Sequence, residues 1–301
     1  MTALIPLVAL AAMGLIWGLQ FSMLKLAVQA GYPELHVLAA ALILITGIYV
    51  VLVVIKRRRF KLTRQRLVFF GLTAIMGYLI PMSATLYAAP YVPAGVLVLM
   101  ASLSPAFSCA TALLLRSETV SRLRALAMVL GTVAALMVLL PEAELPGHGA
   151  LPWLLLALLI PLCYGIEPIY VSARWPEGLD VLQVGLGEAA AAAGLMVPIL
   201  LVFGEPGTMT WGLGVAELAI AVFVIGGVFE VFLYFYLVRV TGGVLVNFGA
   251  FISLFAGIGW GMLIFAERHA VSVWLAVLVL VASLVLICID AMRGSRASTA
   301  C

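Results

Sequence analysis

The chain predicts an all-α integral membrane protein: ten transmembrane helices forming two inverted five-helix repeats, with both termini cytoplasmic. Three observations predict it. First, 65% of the 301 residues are hydrophobic and 10% are charged, against about 25% charged in an ordinary globular domain; mean hydropathy is +1.26. Apolar runs of about 20 residues follow one another almost without polar relief, as a bilayer requires and a water-soluble core does not. Second, counting ten helices gathers nearly all basic residues on one side. Third, the second half repeats residue patterns of the first. Five helices per half is an odd number, so the halves enter the bilayer in opposite directions.

The elements follow in order. Helix 1 covers 4–30; its apolar run is too long for a signal peptide and Met1-Thr2-Ala3 has no basic lead, so it reads as a retained helix. Helix 2 covers 34–55 and stops at the basic run beginning with Lys56. Helix 3 covers 67–89, beyond that run, and helix 4 covers 93–115, stopping at Arg116. Helix 5 covers 122–140 and stops at Pro141. Helix 6 covers 150–174 and ends at Arg174; helix 7 covers 180–203 and ends at Gly204. Helices 8, 9 and 10 cover 213–237, 243–265 and 269–290, short of Arg239, Arg268 and Arg293 respectively. The repeat divides the chain into units 1–145 and 146–301.

Charge placement sets orientation. Lys56, Arg57, Arg58, Arg59, Lys61, Arg64 and Arg66 lie between helices 2 and 3, and Arg116, Arg122 and Arg124 border the loop between 4 and 5. Arg174, Arg239, Arg293 and Arg296 fall on the same side; Arg268 falls on the other, and Lys25 lies within helix 1. The positive-inside rule puts that side in the cytoplasm. The opposite loops, 141–149 and 204–211, carry Glu142, Glu144 and Glu205 but no Lys or Arg. A different helix count scatters this asymmetry. The run at 56–66 is read as a topology determinant resting on anionic lipid headgroups, not as a nucleic-acid site. Cys109, Cys163 and Cys288 lie in apolar helices and Cys301 is terminal; with no CxxC and no ligand spacing among His36, His148 and His269, neither a disulfide framework, a metal nor another cofactor is expected.

The internal repeat can be followed residue by residue. Trp17-Gly18-Leu19-Gln20 of helix 1 falls on Tyr164-Gly165-Ile166-Glu167 of helix 6. Gly95-Val96-Leu97-Val98 of helix 4 recurs as Gly243-Val244-Leu245-Val246 of helix 9. One residue further in register, Ser104, Ser108 and Ala112 fall on Ser253, Gly257 and Gly261, small residues spaced by four that let helices approach closely in lipid. The same register sets Glu118 on Glu267. Inverted repeats of this kind mark alternating-access transport, with a solute site near the midplane where the halves meet.

Those paired halves, the Trp17-Gly18 step, the Leu103-Ser104-Pro105 step and a Glu after helices 4 and 9 resemble the EamA-type, ten-helix branch of the drug/metabolite transporter superfamily. Within it, the chain looks most like the YddG-type amino-acid exporters of the inner membrane. Phe251-Ile252-Ser253 departs from the pattern, lacking the proline that the first half has at Pro105. The resemblance implies a central cavity lined by helices 1, 3, 4, 6, 8 and 9.

Polar groups inside the bilayer are costly, so each needs a reason. Glu167 and Glu230 each lie 17 residues beyond the start of their helix, at 150 and 213; at about 1.5 Å per residue they share a depth. The functional reading is a protonation switch or a seat for a substrate ammonium. The competing reading is a locally satisfied carboxyl, preferred for Glu188 because helix 7 is less central in the resemblance. Trp17, Gln20, Phe21 and Lys25 share one face of helix 1; Gln20 stands where Glu167 stands in the other half. Tyr78, Tyr164 and Phe229, on the implied cavity helices, are candidates for apolar solute contact. Ser104, Asn247 and Ser253 are polar at depth and either bind solute or bond across helices. Pro81, Pro105, Pro161 and Pro168 interrupt helices 3, 4 and 6 and are candidate hinges.

These expectations define a secondary transporter that exports small organic metabolites, amino acids first, with possible coupling to protons. Proton-coupled efflux of cationic drugs is the alternative within transport. Its partners are small solutes and membrane lipids, and nucleic acid is not among them. No P-loop, HExxH or GxSxG is present, which argues against ATP hydrolysis and intramembrane hydrolysis by those routes.

Overall fold

The computed structural model describes residues 4–58, 61–88, 91, 100–117, 120–139, 151–204, 212, 214–266 and 271–299. Gly95–Val98, Glu118, Glu267, Arg268 and the loop 141–149 lie outside the described residues. Ten helices stand among those described. They are α1 (Leu4–Gln29), α2 (Glu34–Ile55), α3 (Arg64–Ala74, a π turn Ile75–Leu79, then Ile80–Ala88), α4 (Ser104–Leu115), α5 (Arg122–Leu139), α6 (Leu151–Ala157, then Leu159–Ala173), α7 (Val181–Phe203), α8 (Val215–Thr241), α9 (Gly243–Val246, then Phe248–Phe265) and α10 (Val271–Thr299). Eight of them are long and apolar enough to span a bilayer; α4, described over 12 residues, and α5 are not in that set.

Helix ends follow local chemistry. Thr63 caps α3 by accepting from the Arg66 N–H at 3.3 Å, so α3 begins before its apolar stretch. Asp180 and Gln183 form a reciprocal capping box at the start of α7, both bonds at 3.0 Å. Glu217 closes the first turn of α8 by accepting from the N–H groups of Gly212 and Gly214 and, at 2.6 Å, from the Tyr32 hydroxyl. α8 runs on to Thr241, past the expected end at 237, and α10 runs to Thr299 instead of 290. Hydropathy marks the lipid-facing stretch, whereas backbone hydrogen bonding continues until something breaks it. For α8 the break is Gly242, at φ +84°.

Breaks inside helices have proline causes. Pro161 lacks the N–H that would bond the carbonyl of Ala157, and the first piece of α6 ends at Ala157. Pro81 withholds the same donor from Gly77, in the π turn of α3.

α1 packs between α8 and α9, α2 against α7, α3 against α7, α4 against α6, and α5 against α10. Two glycines permit the tightest approaches. A Cβ on Gly18 would stand 2.7 Å from Gly257 N and Ser253 O of α9; one on Gly165 would stand 2.5 Å from Phe107 Cβ and 2.8 Å from Ser108 N of α4. Leu10, Met13, Tyr49, Phe235, Phe248 and Phe251 fill the interior between these helices. The periphery is apolar as well: Leu114 is 83% exposed, Leu201 80% and Leu263 77%. Such a surface is untenable in water and expected against acyl chains.

Several of the basic residues make contacts across the helices. Arg58 pairs with Asp180 at 3.0 Å, Arg66 donates to the Glu177 carbonyl at 2.9 Å, and Arg239 lies 5.4 Å over Trp175. Arg124 donates to Asp290 at 3.1 Å through Nη2 and 3.2 Å through Nε, and Ser121 donates to the same carboxylate. This last group ties α5 to α10. Asp290→Asn is expected to lower stability by about 1 kcal/mol, read as a drop of a few degrees in thermal unfolding in detergent. A midpoint unchanged within 1 °C would show the tie to be idle.

Candidate functional site

α6, α7 and α8 each send a glutamate inward. Glu167 is 5% and Glu188 3% exposed, and Glu230 is half-buried. The three act on one another electrostatically, and Glu230 acts also on Tyr49 of α2, Tyr78 of α3 and Tyr164 of α6. Tyr234, one turn beyond Glu230 on α8, donates its hydroxyl to Glu167 Oε2. Glu167 Oε1 is buried with no hydrogen-bond partner. Among the described residues neither Glu188 nor Glu230 accepts a hydrogen bond. The ion pairs there, Arg58–Asp180 and Arg124–Asp290, leave all three glutamates without a cation.

The backbone around Glu167 is held by a substitute bond. Pro168 cannot donate to the Tyr164 carbonyl four residues back. Asn247, at the break between the two pieces of α9, donates to that carbonyl instead through Nδ2 at 3.1 Å. The start of α9 is wedged tightly here. A Cβ on Gly243 would lie 2.5 Å from the Pro168 carbonyl carbon and oxygen, and Ser108 of α4 donates to the Gly243 carbonyl at 3.4 Å. Tyr49 donates to the Val228 carbonyl at 2.8 Å, tying α2 to α8 two residues before Glu230.

The structure brings together Tyr78, Tyr164, Glu167 and Glu230, with Asn247 bordering them through the Tyr164 carbonyl. Gln20 borders them through α8, its Nε2 being 3.3 Å from where a Cβ on Gly227 would stand. Trp17 is half-buried on α1, and Ser104 is 1% exposed on α4. Ser253 spends its hydroxyl on the Ala250 carbonyl of its own helix at 3.0 Å. Pro105, Pro161 and Pro168 are buried beside these residues on α4 and α6, and Pro81 follows the π turn that carries Tyr78. Phe229 does not join the cluster. It is 56% exposed, two residues on from Gly227 and hence about 200° round the helix from the face that meets α1 and α2. Phe21 is likewise exposed, and Lys25, also exposed, has Nζ 4.2 Å over the Phe265 ring.

Three members were not selected from sequence: Tyr49, Glu188 and Tyr234. Tyr234 had a readable signal, being four residues from Glu230 and so on its face. Glu188 carried the signal of a carboxyl in a Gly/Ala-rich apolar helix.

Residues 4–140 match the family model described as the EamA-like transporter family. No curated protein matches the chain. Among solved structures 28 chains match. One, titled only as the crystal structure of a protein, is similar with a TM-score of 0.76 and 16% identity over 93% of this chain and 97% of that one; at that identity the likeness speaks for the fold alone. The first half of the chain is thus similar to the EamA-like transporter family, and eight helices among the described residues are long and apolar enough to cross a membrane.

Proposed function

We propose that this protein is a transporter that exports small organic cations, amines included, by alternating access, with Glu167 and Glu230 seating the cationic nitrogen. The observation that carries the reading is the group of buried carboxyls with no cation beside it, faced by Tyr78, Tyr164 and Tyr234. Carboxylates and aromatic rings together suit an ammonium, which gains from both. Amino acids, the class implied by likeness to the YddG-type exporters, bring an ammonium but also a carboxylate. In this cluster that carboxylate meets three glutamates and no cation. Lys25 sits over Phe265 instead.

The cycle takes the solute from the cytoplasm, where the basic end of the bundle lies under the positive-inside rule with both termini. Units 1–145 and 146–301 then rock about the shared centre as inverted repeats. Supporting that symmetry, Gly18 meets Gly257 as Gly165 meets Ser108, and these are the positions that the repeat aligns. Pro81, Pro105, Pro161 and Pro168 are the hinges. Exchange for external protons resets the carboxyls.

The test is counterflow in liposomes holding the purified full-length chain. Benzyltrimethylammonium should exchange and respond to a pH gradient, and aromatic amino acids should exchange roughly tenfold more slowly, a difference of ~1.4 kcal/mol. Faster exchange of amino acids than of the cation replaces this reading with amino-acid export.

A further inference from the structure

We propose that Glu188 on α7 is the seat of the coupling proton, separate from the Glu167/Glu230 seat of the solute cation. This rests on the cation-export reading above and deepens it by dividing the labour between carboxyls.

Glu188 is as deeply enclosed as Glu167, at 3% exposure. Its Oε1 lies 3.6 Å from where a Cβ on Gly77 would stand. Gly77 belongs to the π turn of α3, and the turn offers Glu188 bare backbone at that point. A Cβ there would meet the carboxyl at ordinary van der Waals distance, so the two groups are immediate neighbours. Pro81 has no N–H to give the Gly77 carbonyl, so this stretch of α3 lacks an ordinary helical donor. A carboxylic acid is a donor, whereas a carboxylate is an acceptor only. The environment of Glu188 therefore suits a group that gains and loses a proton beside a backbone that can adjust. π turns of this kind recur at functional positions.

The groups that face Glu188 come from every helix packed on it. They are Tyr49 of α2, Tyr78 of α3, Glu167 of α6, and Glu230 and Tyr234 of α8. None is basic, so no fixed cation competes with a proton for this carboxyl. Two of the five are the glutamates assigned to the solute. A charge on Glu188 is felt at the solute seat through the low-dielectric interior. Taking up a proton at Glu188 makes the cluster less negative and favours release of the cation; losing it favours binding. That linkage is reciprocal, as coupling between two sites must be. Glu188 acts on the solute seat through its field, which permits a variant that separates binding from coupling.

The experiment uses full-length protein in liposomes with benzyltrimethylammonium, whose fixed charge carries no proton of its own. Glu188→Gln, fixed in the neutral form, should bind the cation at every pH with the affinity that the parent shows at low pH, and retain cation-for-cation counterflow. It should lose uphill accumulation driven by a pH gradient, about tenfold or more. Glu167→Gln should lose binding itself. Glu188→Gln that still accumulates the cation in response to the gradient overturns the proposal. Loss of binding in Glu188→Gln together with Glu167→Gln overturns it too, by making the two carboxyls one seat. If only the Glu167→Gln result fails, the cation-export reading falls instead. A second measurement needs no variant. Dicyclohexylcarbodiimide attacks protonated buried carboxyls, and peptide mass spectrometry locates the adduct. Saturating benzyltrimethylammonium should protect Glu167 and leave Glu188 labelled; absence of label on Glu188, or its protection in parallel with Glu167, overturns the proposal.

Discussion

Glu167→Gln is expected to weaken benzyltrimethylammonium binding and counterflow roughly 100-fold, or ~3 kcal/mol, the scale on which removing one partner from a desolvated charge pair is felt. Gln keeps the shape of the side chain and an oxygen to accept from the Tyr234 hydroxyl, so the bundle is left in place. What vanishes is the charge at Oε1, the buried oxygen that has no partner within the protein. Tyr234→Phe removes one donor and leaves that charge, so its expected effect is about fivefold, the worth of a single hydrogen bond near 1 kcal/mol. Equilibrium dialysis gives the affinities and initial rates in liposomes give the transport. Binding by Glu167→Gln within threefold of the parent would remove this glutamate from the solute seat.

Gly243→Ala carries the largest expected loss of stability. Its new Cβ would fall 2.5 Å from the Pro168 carbonyl carbon and oxygen and 2.6 Å from Ile169 N, all main-chain atoms of α6. No rotamer relieves such a clash; α9 must move off α6. The cost is about 3 kcal/mol, the upper range for inserting a methyl group into a filled site, and the thermal midpoint should fall by roughly 10 °C. Gly47→Ala on α2 is the control. Nothing lies within 4 Å of its new Cβ, and helix propensity favours Ala by about 1 kcal/mol. A midpoint for Gly243→Ala equal to that of Gly47→Ala would mean that the wedge between α6 and α9 yields freely.

The helices were legible because lipid imposes a length and an apolar composition that a sequence states openly. Glu167 and Glu230 were legible for the same reason, as charges where charge is expensive. The sidedness of helices was not. In water an amphipathic helix shows which face is buried, but in lipid both faces are apolar, and nothing in residues 181–203 says that the face bearing Glu188 turns inward. Phe229, which stands apart from the glutamate cluster, poses the same difficulty, since an aromatic at mid-helix reads alike whether it faces solute or acyl chains. Small residues offered partial compensation. Gly18 and Gly165 mark contacts with α9 and α4, yet their partners emerge only in three dimensions. The Asn247 amide on the Tyr164 carbonyl had no sequence signal at all, because Pro168 announces an orphaned acceptor without naming its donor.

That amide has a consequence for how readily α6 bends. An intact helix resists bending because its rungs give way together. At Tyr164 the rung is already absent, and one long-range side-chain bond replaces it. α6 can therefore flex at this point by surrendering a single contact that re-forms when α9 returns. The joint behaves as a latch across a rung already cut, and it yields without weakening the helix on either side.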